Sequence, residues 1–123
     1  PLENEEIELG LSVPTLILRS DEWENGTNDA NLLKLIERSH SETALYQVNN
    51  AQHSDFTLMY LFTPLTKDLN MLGDIDGDKL SILQGQIDVA FFNDTLLGIH
   101  EDAVNKLIEE YRTDEGILLE KVK

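Results

Sequence analysis

Cysteine is absent from this sequence, which excludes disulfides, thiol catalysis and cysteine metal sites. The absence fits a reducing compartment. Basic residues are scarce: Lys and Arg number 9 against 24 Asp and Glu, giving a net charge of −15. Such a surface repels phosphate backbones and anionic lipid headgroups, so no nucleic acid partner is expected. The plain reading of the charge is a solvated acidic surface. There is no signal peptide, no lipidation motif and no apolar run long enough to cross a membrane, so stable membrane insertion is not expected. The sequence begins at Pro1 rather than methionine, as a cut end would, so the missing targeting signals leave location open. No glycine-rich phosphate cradle is present, and His40, His53 and His100 show neither H-x-H nor H-E-x-x-H spacing. No histidine metal site and no cofactor are therefore expected.

What is present suits one compact domain. The chain has 123 residues, of which 41% are hydrophobic, enough to bury a core. Residues 1–10 are acidic without a clear period and read as an exposed lead-in. Pro14-Thr-Leu-Ile-Leu-Arg19 is a near-continuous apolar strand of the kind found in a parallel sheet covered on both faces, with proline at its tolerated first position. Residues 21–28 are rich in turn formers. Ala30–Arg38 places Leu32, Leu33, Leu35 and Ile36 at helical spacing, with Asn28 or Asp29 as the expected cap. Ala44–Val48 is strand-like, and Phe56–Phe62 reads as helical up to a break near Pro64. After a loop at 72–78, Asp78 is expected to cap a long helix to about Leu97, with Leu80, Leu83, Ile87 and Phe91 on one face. Gly98 is a plausible stop. A shorter helix follows with Ala103, Val104, Leu107, Ile108 and Tyr111 apolar, then a last strand or tail at 117–122.

Strand, helix and strand within the first half form a βαβ unit, whose crossover is right-handed and whose strands run parallel. If the strands are neighbours, about 4.8 Å separates their axes. Their C-terminal ends then share one rim, where such folds bind ligands. Asp21 and Glu22 leave the first strand on that rim, and His53 leaves the second on the same rim. An imidazole suits proton transfer because its unperturbed pKa lies near operating pH, and it needs a carboxylate to hold one tautomer. Position favours Asp21 for that carboxylate, although Asp21 and Glu22 read equally well as loop acids of an acidic protein. Asp55 sits too close in sequence and reads as the start of the next helix. His40, after Arg38-Ser39, reads as a helix C-terminal histidine.

Two further motifs fail. Asp74-Ile-Asp76-Gly-Asp78 has the look of a calcium loop, but an EF-hand needs glycine sixth and glutamate twelfth, and those places hold Lys79 and Gly85. A tight turn and a helix cap is the better reading. No nucleophile elbow exists: Gly10-Leu-Ser12-Val-Pro14 ends in proline where G-x-S-x-G requires glycine, and Ser54 has no elbow around it.

The order Val13-Pro-Thr-Leu-Ile-Leu-Arg-Ser-Asp-Glu-Trp23, Gln52-His-Ser-Asp-Phe56, Gly73-Asp-Ile-Asp-Gly77 and Phe91-Phe-Asn-Asp-Thr-Leu96 resembles the C-terminal part of plasma-type platelet-activating factor acetylhydrolases and their bacterial serine-esterase relatives. The resemblance covers about residues 1–97; residues 98–123 stand apart as a C-terminal helix and tail. It implies an α/β-hydrolase fold, here the C-terminal portion with parallel strands, flanking helices and an incomplete sheet. It also implies a Ser-Asp-His triad that hydrolyses short or oxidised acyl chains from phospholipids and simpler esters without calcium. Carried over, His53 looks like the triad histidine. The family's serine lies upstream, outside this chain, and its acid would fall just before Pro1, which leaves Asp21 a neighbour of the site. Many other α/β-hydrolases place the acid after the strand ending near Ser20, which favours Asp21. Without serine or oxyanion donors the chain alone is expected to hydrolyse nothing at an enzymatic rate. With an unpaired sheet edge, it is expected either to form a homodimer or to stay attached to the missing part. Trp23 and the Phe56–Phe62 face could line an acyl pocket, though core packing is the plainer role. The alternative is a self-contained acidic protein-interaction or binding domain without catalysis. A regulatory fragment released by proteolysis is a third reading.

Overall fold

The computed structural model describes residues 4–24, 26–62, 65–99, 102–114 and 119–123. The βαβ unit forms as its apolar pattern dictates. Strand β1 (Thr15–Ser20) and strand β2 (Thr43–Val48) pair in parallel, with Thr15 opposite Thr43 and Ser20 opposite Val48. Helix α2 (Thr27–Glu37) connects them. Period-two alternation along both strands sorts the side chains to two faces. Ile17 and Leu45 pack with Leu32, Leu33 and Ile36 of α2. Leu16, Leu18, Ala44, Tyr46 and Val48 face the larger core.

That larger core is built by helix α4 (Gly77–Thr95) and helix α5 (Ala103–Tyr111), which supply Leu80, Leu83, Ile87 and Ile108. Strand β3 (Leu119–Lys121) completes it by burying Leu119 in the same cluster. The last 26 residues thus contribute to the main core through α5 and β3. The fold is mixed α/β, but the sheet is not purely parallel: the order is β1-β2-β3, and β3 runs antiparallel to β2. The antiparallel run extends past β3, where the Leu45 N–H donates to the Lys123 carbonyl at 3.0 Å and the Leu45 carbonyl accepts the Val122 N–H at 2.8 Å. Among the described residues no strand pairs with the outer edge of β1.

Four local expectations differ from the structure. The acidic lead-in holds a short helix, α1 (Asn4–Leu9), which buries Ile7, ends at Gly10 with φ 67° and is tied to the end of α2 by a Glu8–Arg38 ion pair. Helix α2 begins after Gly26, not at a cap on Asn28 or Asp29, because Asp29 is drawn inward to Arg19. The stretch 56–62 is not one helix. Thr57 is extended there, and its hydroxyl donates to the Ser54 carbonyl and accepts the Met59 N–H, which divides the segment into two 3-10 turns, His53–Phe56 and Leu58–Leu61. The cap of α4 is Asp76, not Asp78: its Oδ1 accepts the N–H groups of Asp78 and Lys79 at 3.0 and 3.2 Å. A further one-turn helix, α3 (Leu65–Asp68), precedes it. The expected break at Pro64 and the histidine at 100 lie outside the described residues, as does the start of the tail at 117.

Candidate functional site

The strand ends set the site. Each strand finishes in buried polar residues, Arg19 and Ser20 on β1 and Gln47 before Val48 on β2. Arg19 and Gln47 are register partners, and the guanidinium donates to the Gln47 carbonyl oxygen at 2.7 and 3.0 Å. Arg19 also pairs with Asp29 at the start of α2, and Gln47 passes a hydrogen bond to Asn49 at 2.9 Å. A buried charge in an apolar strand needs such partners. The result is a cross-strand brace directly beneath the loops that carry the candidate residues.

Above the brace, β1 turns into a 3-10 turn, Asp21–Trp23, and β2 into the loop 49–52 before the His53–Phe56 turn. The two loops meet, as parallel pairing requires. Asp21 Oδ2 accepts the Asn50 N–H at 2.9 Å. Glu22 Oε1 accepts the His53 backbone N–H at 2.5 Å and lies 3.4 Å from the Ser20 hydroxyl. The Trp23 ring stacks on the His53 imidazole with centroids 6.2 Å apart and planes at 27°. The imidazole is exposed and makes no hydrogen bond among the described residues.

Asp55 is a structural residue. It is buried, and its Oδ2 accepts the Gln52 N–H and the Gly73 N–H, each at 2.7 Å. With the Gln52 side chain it closes a capping box around the histidine turn. The Gly73-Asp-Ile-Asp-Gly77 run holds the other side. A Cβ on Gly73 would stand 2.2 Å from the Asn50 carbonyl oxygen, so only glycine permits that backbone approach. Ile75 donates its N–H to the same carbonyl at 3.2 Å and buries its side chain. The loop that presents His53 is therefore gripped from the first strand's turn and from residues 73–75.

The structure brings His53, Asp21 and Glu22 to one rim. It joins Asp21 to the Asn50 backbone rather than to the imidazole, and Glu22 to the His53 backbone. Ser12 precedes β1, at the opposite end of the strand, and His40 follows α2 at the same far end. Sequence reading missed Trp23 as the histidine's ring partner and Glu22 as its backbone acceptor. The signal was the adjacency of three chemically distinct residues at the strand end.

Open cavities flank the fold. One of about 670 Å³ is lined by Asp55, Tyr60, Thr66, Gly73 and Ile75; another, of about 740 Å³, opens between the strand beginnings at Thr15 and Thr43 and the side formed by Phe91, Asp94, Asp102 and Asn105. Neither is lined by His53. Burial first, then the charge of Asp102, pushes the Tyr46 phenol above its ordinary value. Tyr111 is raised by burial, then by Glu110 and Asp114, against a lowering contribution from Lys79. Both phenols are neutral near pH 7 and belong to the core beside α4, not to the rim. Among the described residues no cluster of three or more His, Asp or Glu could hold a metal ion, and no helix is long and apolar enough to cross a membrane. No model of a known protein family matches the chain, and no curated protein matches it significantly.

Proposed function

We propose that this chain is the C-terminal segment of a serine ester hydrolase, a carboxylesterase or lipase-like enzyme resembling the platelet-activating factor acetylhydrolases, and that it contributes the base His53. The observation that carries this reading is the exposed imidazole on the C-terminal rim of a parallel strand pair, on a loop braced from both sides. His53 takes the proton of a serine hydroxyl supplied from outside these residues as that oxygen attacks the ester carbonyl. It then returns the proton to the leaving alcohol. The tautomer-holding acid is either Asp21, through its Oδ1, or a carboxylate outside the chain. Leu58, Leu61 and Phe62, exposed just after the histidine turn, supply apolar surface suited to a short-acyl ester or phospholipid substrate. The open edge of β1 is covered by the remainder of the enzyme or, in the isolated chain, by a second copy.

The alternative is a self-contained acidic interaction domain. The observation in its favour is the core, in which α5 and β3 close the larger cluster over the sheet. Steady-state hydrolysis of a short-chain aryl ester by the full-length protein separates the two. His53→Ala is expected to lower kcat by about three orders of magnitude or more, with the isolated chain inactive. A full-length protein without a G-x-S-x-G serine, or an unchanged rate in the variant, overturns the hydrolase reading.

A further inference from the structure

Three consecutive residues, Asp21, Glu22 and Trp23, hold the 50–53 segment, and each uses a different atom set. We propose that Glu22 and Trp23 are positioning residues for His53: the carboxylate fixes its backbone and the indole fixes its ring. The proposal rests on the hydrolase reading for its purpose, but its geometry does not.

The need for such a clamp follows from the local structure. His53 begins a four-residue 3-10 turn, and short 3-10 turns have poor internal hydrogen bonding. The first N–H of a helical turn has no partner within the turn. At His53 that N–H is taken by Glu22 Oε1. A carboxylate acceptor makes a stronger bond than a neutral one, and it anchors the loop to the adjacent strand's turn, 31 residues away in sequence. The imidazole, by contrast, is exposed, and among the described residues no hydrogen bond restricts its χ1. Trp23, half-buried and planar, occupies one side of it and removes rotamers that would swing the ring across that space. Exposed as it is, His53 stays accessible to a proton partner. Glu22 thus acts on where the histidine stands, and Trp23 on where it points. Neither touches a reacting atom.

The chain contains one tryptophan, which makes the contact easy to observe. In the 123-residue chain labelled at histidine, NMR is expected to find His53 in one χ1 rotamer, with ring protons shifted upfield by the indole and cross-peaks to it. Trp23→Leu should abolish the upfield shift and average the rotamers. Trp23→Phe keeps a ring on the turn and separates loss of the contact from loss of the fold. Glu22→Ala should average the rotamers, and Glu22→Gln, which retains an acceptor oxygen, should restore the single state. His40 serves as the internal reference and should not change. A rotamer-averaged His53 in the unaltered chain, or a single rotamer surviving both Glu22→Ala and Trp23→Leu, overturns the clamp. In the full-length protein Glu22→Ala should lower kcat by about 10²-fold at unchanged KM, with Glu22→Gln near the starting rate. Absence of any esterase activity would remove the hydrolase reading and leave the NMR result to decide the clamp by itself.

Discussion

Strands β1 and β2 have the same length and a similar apolar composition, yet they differ in burial. In β2 the four residues from Leu45 to Val48 are buried; in β1 only Arg19 and Ser20 are, and the apolar Leu16, Ile17 and Leu18 are half-exposed. The difference is one of neighbours. Among the described residues β2 lies between two strands, and β1 has one neighbour. Order in β1 is therefore concentrated at its polar end, beneath His53, where the Arg19–Gln47–Asp29 brace and the Asp21 and Glu22 contacts gather. A strand that is firm at the site and open along its edge is suited to receive a neighbour without moving the histidine.

The strongest way to break this arrangement is to remove the charge that holds the polar end. The Arg19 and Asp29 side chains are 6% and 11% exposed. Asp29→Ala leaves the guanidinium buried with only a neutral amide beside it and should cost about 3–5 kcal/mol in chemical denaturation. Replacing both residues, as Arg19→Met with Asp29→Leu, should cost far less, because no uncompensated charge remains. Equal losses in the single and double variants would show that the brace stabilises by shape rather than by charge balance.

A second comparison sets Leu45 against Ile17, register partners on the α2 face. Leu45 is fully buried, and Leu45→Ala should cost about 2–5 kcal/mol. Ile17 already meets solvent, so Ile17→Ala should cost about half as much or less, since fewer contacts with the core are lost. Parallel denaturation curves of the two variants measure the ratio. A ratio near one would mean that β1 is covered in solution.

The sequence makes β1, α2, β2, α4 and α5 legible because each carries its period in side chains that are buried for its own reasons. What it hides depends on tertiary partners. Helix α1 has one buried residue, Ile7, and is held by Arg38 and by the turn at Gly10. Strand β3 has one, Leu119, too few for any pattern. The position of His53 after a strand was readable, and so was its shared rim with Asp21. The use of those acids was not. A carboxylate that accepts a backbone N–H leaves no mark on the partner's side chain, so Asp21 on Asn50 and Glu22 on His53 are invisible in residue types. Asp55 illustrates the same limit: in sequence it reads as a helix start too close to the histidine to be its acid, and its two backbone contacts reach Gln52 and Gly73.

The smallest effect is the sharpest test of the open edge. The Thr15 N–H donates to the Glu42 carbonyl at 2.9 Å, so the Thr15 peptide points toward β2. Peptide groups alternate sides along a parallel strand, which turns the Ile17 and Arg19 N–H groups toward β2 and those of Leu16 and Leu18 outward. Hydrogen exchange should therefore find alternating protection along β1, fast at Leu16 and Leu18 and slow at Ile17 and Arg19, while β2, paired on both sides from Leu45 to Val48, is slow at each of those four residues. Protection at Leu16 and Leu18 that appears only at high protein concentration would identify a second copy on the edge. Protection independent of concentration would mean that the edge is closed within a single chain, and the contrast between the two strands would then disappear.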